Sequence, residues 1–214
     1  MSSKLLLPEI GAETFGDISE DAQGNPLTHA QVIRNVIAQG QAAEAANLDF
    51  FGVGEHHRDD YAVSSPEIVL AALASTTKQI KLGTAVTVLS SDDPVRVYQR
   101  FATLDAISQG RTEIAAGRGS FIESFPLFGF ELDDYEALYE EKLDLLARLR
   151  HGNPVVWHGK HRSALAQPAG LSPAGEPAAD HLGGRRWRPA VRCSRRAPRA
   201  SAVPGHHRGP ALGL

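Results

Sequence analysis

A chain of 214 residues with 42% hydrophobic content can bury the core of a domain. It holds no apolar run of roughly 18 residues, so no membrane-spanning helix is expected, and its single cysteine, Cys193, excludes an intrachain disulfide framework or a cysteine-rich zinc site. The net charge of −3 divides unevenly, −9 over residues 1–162 and +6 over residues 163–214, so the two segments are read separately.

The amino terminus, "MSSKLLLPEIGAETFGD", lacks a long apolar stretch and a small-residue cleavage site, which makes it a poor signal peptide. A cytoplasmic protein is the expectation. Residues 8–16 then read as a first strand ending in glycine. Helical spacing of Val32, Ile33, Val36, Ile37 and Ala43 follows, with Thr28 as N-cap and Gly40 on the same face, where it allows close packing. "FFGVG" is a short buried strand. The next helix opens with Ser65 as cap, Pro66 at its first position and Glu67 in its first turn. "IKLGTAVTVL" reads as a third strand. A third helix starts at Pro94 and stops before Gly110. "RTEIAAG" is a fourth strand, and a fourth helix presents Leu138, Leu143, Leu145, Leu146 and Leu149 to a core, with Gly152 near its end.

Four βα units in a row argue for an α/β fold with a parallel sheet and crossover helices. The first turn has no glycine-rich dinucleotide fingerprint, which favours part of a (β/α)8 barrel over an open sheet. Four units are half of a closed barrel.

Three strand ends carry chemistry. Glu55-His56-His57 stands at the carboxyl end of the second strand, the end that builds active sites in such barrels. Histidine suits proton transfer near neutrality, and a solvated loop is the bland alternative. Metal binding is the weakest reading, because adjacent side chains on an extended segment diverge. "AAGRGSF" ends the fourth strand. Gly117 and Gly119 let backbone approach a ligand closely, and the Arg118 guanidinium suits a phosphate; a tight turn with a surface arginine is the alternative. "LGTAVTVLSSDDP" ends the third strand with small residues that leave room above the barrel mouth.

Together, "GVGEHHRDDYAVSSPE", "IKLGTAVTVLSSDDPVRVYQRFATLDAISQGR" and "EIAAGRGSFIESFPLFGF" resemble the bacterial luciferase-like monooxygenases, flavin-dependent enzymes of the TIM (β/α)8-barrel fold. The resemblance covers residues 8–162. It implies the first four βα units of that barrel. It also implies an enzyme in which reduced FMN, supplied by a flavin reductase, and O2 oxidise a small organic substrate such as an aldehyde. F420 is the less favoured cofactor, and a homodimer is the implied assembly. By motif, His56 handles protons beside the flavin, Arg118 contacts the FMN phosphate, and Thr84, Ala85 and Val86 lie against the ring. A non-proline cis bond is implied near Ala85–Val86. Gly117 takes the place of a luciferase cysteine near the ring, which argues against light emission.

Beyond Arg162 this pattern stops. Residues 163–214 show no helical or strand period and are rich in Ala, Pro, Gly and Arg. A disordered linker or an arginine-rich nucleic-acid arm are two readings, the second disfavoured. Reading each codon one base later is a third. "SPAGEPAADHLGGRRWRP" then decodes, within codon degeneracy, as "PRPVNQPLTIWVGVGGDP", which restores periodic βα chemistry. The sequence thus predicts a frame slip near Arg162–Ser163 after half a barrel, leaving residues 1–162 as the luciferase-like unit. Open strand edges then predict weak stability or self-association, and weak or absent FMN binding by this chain.

Overall fold

The computed structural model describes residues 8–150 and 155–165. The arginine-rich segment from residue 166 onward, with Cys193, and the expected helix stop at Gly152 lie outside them. The chain builds β1 (Gly11–Thr14), α1 (His29–Ala45), β2 (Phe50–Val53), α2 (Pro66–Thr76), β3 (Lys81–Thr84) and β4 (Thr87–Val88). It continues through α3 (Pro94–Ser108), β5 (Thr112–Glu113), β6 (Ala116–Gly117), α4 (Ser124–Phe128) and α5 (Tyr135–Arg150). β1, β2, β3 and β5 pair in that order, all parallel, with Gly11 opposite Phe50 and Phe50 opposite Lys81. The repeated strand–helix order and all-parallel pairing make this part of a TIM barrel, as the sequence predicts.

Alternation sorts the strands into two faces. Phe51, Val53, Leu82 and Ile114 turn to the helices and join a core with Val36, Leu70, Leu73, Phe101, Leu145 and Leu146. Of the α5 leucines, Leu143 is only partly buried. The opposite face is sparse. A Cβ placed on Gly11, Gly52 or Gly83 would come within 3.0 Å of the Phe50 side chain, so one phenyl ring lies over three bare backbones.

Helix starts follow local chemistry. Thr28 caps α1 by accepting from the Gln31 N–H, and Asp93 caps α3 by accepting from Val95 and Arg96. Ser65 occupies the N-cap position of α2, but its side chain makes no capping bond. The buried Glu67 is drawn instead to the half-exposed Arg100, 3.4 Å away. At the far end of the strands, Arg111 donates to the carbonyls of Ala74, Thr77, Ile80 and Ser108, and Glu44 accepts the N–H groups of Lys78, Gln79 and Ile80. These two charges satisfy chain ends that would otherwise be orphaned between α2, α3 and β3.

Four details differ from the sequence expectation. The first strand is shorter, spanning Gly11–Thr14, and the chain turns at Gly16 with φ +70°. The third and fourth strands each break in two. The Ala85–Val86 bond is cis, as the resemblance implies, and pairing resumes beyond it in a separate two-stranded sheet of β4 and β6. The short helix α4 lies between the fourth strand and the fourth helix, where the sequence reading assigns no element.

Gly40 packs where a Cβ would meet both Leu73 methyl groups at 2.6 and 2.7 Å, and Leu73 is fully buried. Gly40→Ala is therefore expected to destabilise the chain by about 1–2 kcal/mol, the overpacking outweighing the better helix propensity of alanine. Urea denaturation measures this, and an unchanged or raised midpoint would contradict that packing.

Candidate active site

The last rung of β2 against β1 is the bond from Gly54 N–H to the Thr14 carbonyl at 2.8 Å, and Glu55, His56 and His57 emerge just beyond it. Glu55 and His57 turn inward together. His57 Nε2 lies 2.8 Å from Glu55 Oε1, with both side chains more than nine-tenths buried. The other carboxylate oxygen accepts the Val88 N–H at 2.9 Å, tying the end of β2 to β4. The His56 ring sits among Tyr61, Phe121 and Phe15, with centroids 4.1, 5.3 and 5.5 Å away. Burial pushes its pKa below the usual 6.5, against the opposing pull of Asp17, Glu55 and Asp60. His56 is thus an uncharged ring near neutrality, suited to accept a proton.

Beside the histidines, the cis Ala85–Val86 segment forms a wall packed against β2, whose glycines are covered by rings of this chain. A Cβ on Gly52 would meet the Phe50 ring at 2.9 Å and Ala85 Cβ at 3.1 Å, and one on Gly54 would meet Phe15 at 2.6 Å and the Ala85 carbonyl at 3.4 Å. Val86 packs on Gly117 so tightly that a Cβ there would fall 2.5 Å from Val86 Cγ2. Thr84 contributes backbone alone, because its buried hydroxyl donates to the Ala115 carbonyl and accepts from Thr87. Gly119, at φ +85°, brings the chain back toward the histidines and lines a hollow with His56 and His57. Arg118 points away to α5, where it pairs with Glu136 and lies over the Tyr135 ring. The sequence-predicted residues therefore form two groups: the wall and histidines at the mouth, and Arg118 beside α5.

The structure adds residues that no motif singled out. Arg58 grips Asp60 through two bonds of 2.8 and 3.0 Å and reaches Glu123 at 2.8 Å, with its guanidinium 4.8 Å from the Phe121 ring centre. It straps the loop after β2 to the loop after β6. Asp92 joins the Glu67–Arg100 pair, and burial raises the pKa of both carboxyls. Lys142, 3% exposed, donates to the Ser90 carbonyl at 2.6 Å, and desolvation lowers its pKa to about 8. Sequence alone offered only charged letters here, since their partners lie up to 65 residues away. Among the described residues, no three His, Cys, Asp or Glu side chains could hold a metal ion.

The family model for luciferase-like monooxygenases matches residues 14–192, running past Arg162 where the sequence reading divides the chain. The chain belongs to this family. An uncharacterized protein, y4wF, of Sinorhizobium fredii is 29% identical over 81% of this chain and 50% of its own length. The alkanal monooxygenase alpha chain of the Kryptophanaron alfredi symbiont is 29% identical over 63% of this chain and 38% of its own. Among solved structures, the oxygenating constituent of 3,6-diketocamphane monooxygenase from Pseudomonas putida, in complex with FMN, superposes with a TM-score of 0.65. That similarity, at 18% identity, covers 85% of this chain and 48% of that one, and it shows the fold. The chain thus spans half or less of the length of these proteins. No helix among the described residues is long and apolar enough to cross a membrane.

Two predictions follow from the geometry. Glu55→Ala would strand the buried Val88 N–H and His57 Nε2, and is expected to cost roughly 3 kcal/mol; an unchanged thermal midpoint would show that the carboxylate is not a tie. For His56, the unfolded chain takes up a proton near pH 6.5 that the folded chain refuses. Its contribution to stability is complete above that pH and is lost as pH falls through the lower, folded value. Histidine NMR titration should place its midpoint below 6.5; a midpoint at or above it would remove the buried, neutral assignment.

Proposed function

We propose that this chain provides the flavin-facing half of a monooxygenase that uses reduced FMN and O2 to oxidise a small organic substrate such as an aldehyde. The observation that carries this reading is one juxtaposition. A wall formed by the cis Ala85–Val86 segment, packed against Gly52 and Gly54, lies at the strand ends beside His56, which burial keeps uncharged. A planar ring can lie against such a segment of small side chains. The FMN complex of the diketocamphane enzyme and the aldehyde oxidation named in the alkanal monooxygenase support the cofactor and substrate class. In this reading residues 1–162 supply the flavin wall, and a separate flavin reductase delivers the reduced cofactor to a homodimer.

The residues present fit the flavin. Ala85, Val86 and the backbone of Thr84 would support the ring, with Gly117 packed behind Val86. Arg118 would take the phosphate, which displaces the exposed Glu136 carboxylate from its guanidinium. Gly119 and Gly117 keep the backbone low on either side. When bound, the reduced flavin supplies the electrons that activate oxygen. His56 then accepts or returns a proton at its ring, and Phe15, Tyr61 and Phe121 exclude water around it. Gly117 carries no thiol, so the site differs from light-emitting luciferase at the ring.

Titrating this chain with FMN, riboflavin and F420, at concentrations high enough for weak binding, tests the reading. FMN should bind more tightly than riboflavin and F420. Arg118→Ala should lower FMN affinity by about tenfold, the scale of a charge-assisted phosphate contact, and leave riboflavin unaffected. In a chain restored to the full barrel, His56→Ala should keep FMN affinity and abolish substrate oxidation. No flavin binding by the restored barrel would overturn the proposal, and tighter F420 binding would replace the cofactor.

A further inference from the structure

One face of α5 presents three side chains to backbone. Tyr135, Tyr139 and Lys142 stand at i, i+4 and i+7, and each donates to a carbonyl at or beyond a strand end. Tyr135 Oη reaches Gly119 at 2.8 Å, Tyr139 Oη reaches Ala116 at 3.1 Å, and Lys142 Nζ reaches Ser90 at 2.6 Å. Tyr139 and Lys142 are deeply buried and fix the helix against the ends of β6 and β4. Tyr135 is only partly buried, and it alone touches two parts of the loop after β6. Its hydroxyl holds the Gly119 carbonyl, at the left-handed turn that follows Arg118, and its ring centre lies 5.7 Å from the Arg118 guanidinium. That ring is itself stacked on Phe125, 5.4 Å between centres, and Phe125 is buried in the protein. Desolvation raises the phenol's pKa, so the hydroxyl stays a donor.

Arg118 therefore has two partners of unlike kind on α5. Glu136 is mostly exposed and competes with any anion for the guanidinium, so an arriving phosphate takes its place. The neutral Tyr135 ring attracts the cation without occupying its N–H donors, and it stays when Glu136 leaves. We propose that Tyr135 is the positioning residue for the phosphate anchor: its ring seats Arg118, and its hydroxyl fixes the turn behind it. The proposal rests on Arg118 taking the phosphate in the reading above. Tyr135 does not touch the phosphate and acts through Arg118. What it supplies is preorganisation. A long side chain without a seat would lose rotamer freedom on binding, which weakens phosphate affinity.

Inorganic phosphate, titrated into the full chain at constant ionic strength and followed by NMR at the Arg118 Nε–H, tests this without flavin. Tyr135→Phe keeps the ring and its stack but loses the bond to Gly119. It should weaken phosphate binding about fivefold, the scale of one net hydrogen bond. Tyr135→Leu also removes the ring and should weaken binding about threefold further. Equal phosphate affinity in wild type and both variants overturns the proposal, even if the variants melt lower, because a merely structural tyrosine changes stability alone. An Arg118 signal that phosphate does not move in the wild type overturns it as well. Tyr135→Phe is nearly isosteric, so the test stands if Tyr135→Leu fails to fold. Weakened phosphate binding in the variants, alongside equal affinity of the restored barrel for FMN and riboflavin, would fault the FMN assignment and leave Tyr135 as the seat of a phosphate-binding arginine.

Discussion

The mouth of this partial barrel depends on one buried carboxylate. Glu55 leaves β2 shielded from solvent, and it is stable there because both oxygens are satisfied, one by His57 and one by the Val88 N–H. Those two bonds fix three things together: the rotation of His57, the height of β4 above β3, and the direction in which His56 must turn. Because neighbouring side chains on a strand diverge, anchoring Glu55 and His57 inward delivers His56 to the opposite side, among its three aromatic rings. The single geometry of the Glu-His-His triplet follows from one ion's need for partners.

The two ends of the strands are built on different principles. Below, Arg111 and Glu44 donate to and accept from backbone, locking helix ends to strand starts with bonds that no ligand disturbs. Above, charged side chains pair mainly with one another across loops, as Arg58 does with Asp60 and Glu123, or Arg118 with Glu136. Such pairs exchange partners readily at a partly solvated surface. A rigid floor and an exchangeable rim suit a site that must hold a geometry yet admit a molecule.

Much of this was legible in the sequence. Alternation and helical spacing gave the βα order, because burial on one face leaves a period in the letters. Strand-end position gave the histidines, and the combined motifs gave the family and the cis bond at Ala85–Val86. Misreadings arose where long-range partners decide. Ser65 has the letter of a cap, yet Glu67 in the same turn answers to Arg100 on α3. "TAVTV" reads as one strand because β-branched residues mark extension, and nothing local marks the shift of pairing from β5 to β6. Glu55 looked like one member of a polar triplet, and its role depends on an N–H 33 residues away.

The phenyl ring of Phe50 over Gly11, Gly52 and Gly83 has an evolutionary corollary. These four positions, on three strands, occupy one shared volume, so a side chain can appear at Gly52 only after residue 50 has shrunk, whereas Gly11 and Gly83 are also held by the backbone oxygens of Phe50 and Glu113 at 3.0 and 2.8 Å. In homologous chains residues 50 and 52 should vary as a pair, while positions 11 and 83 stay glycine. The inner wall of the sheet is thus constrained as a single unit, although its parts are separated by two whole helices in the chain.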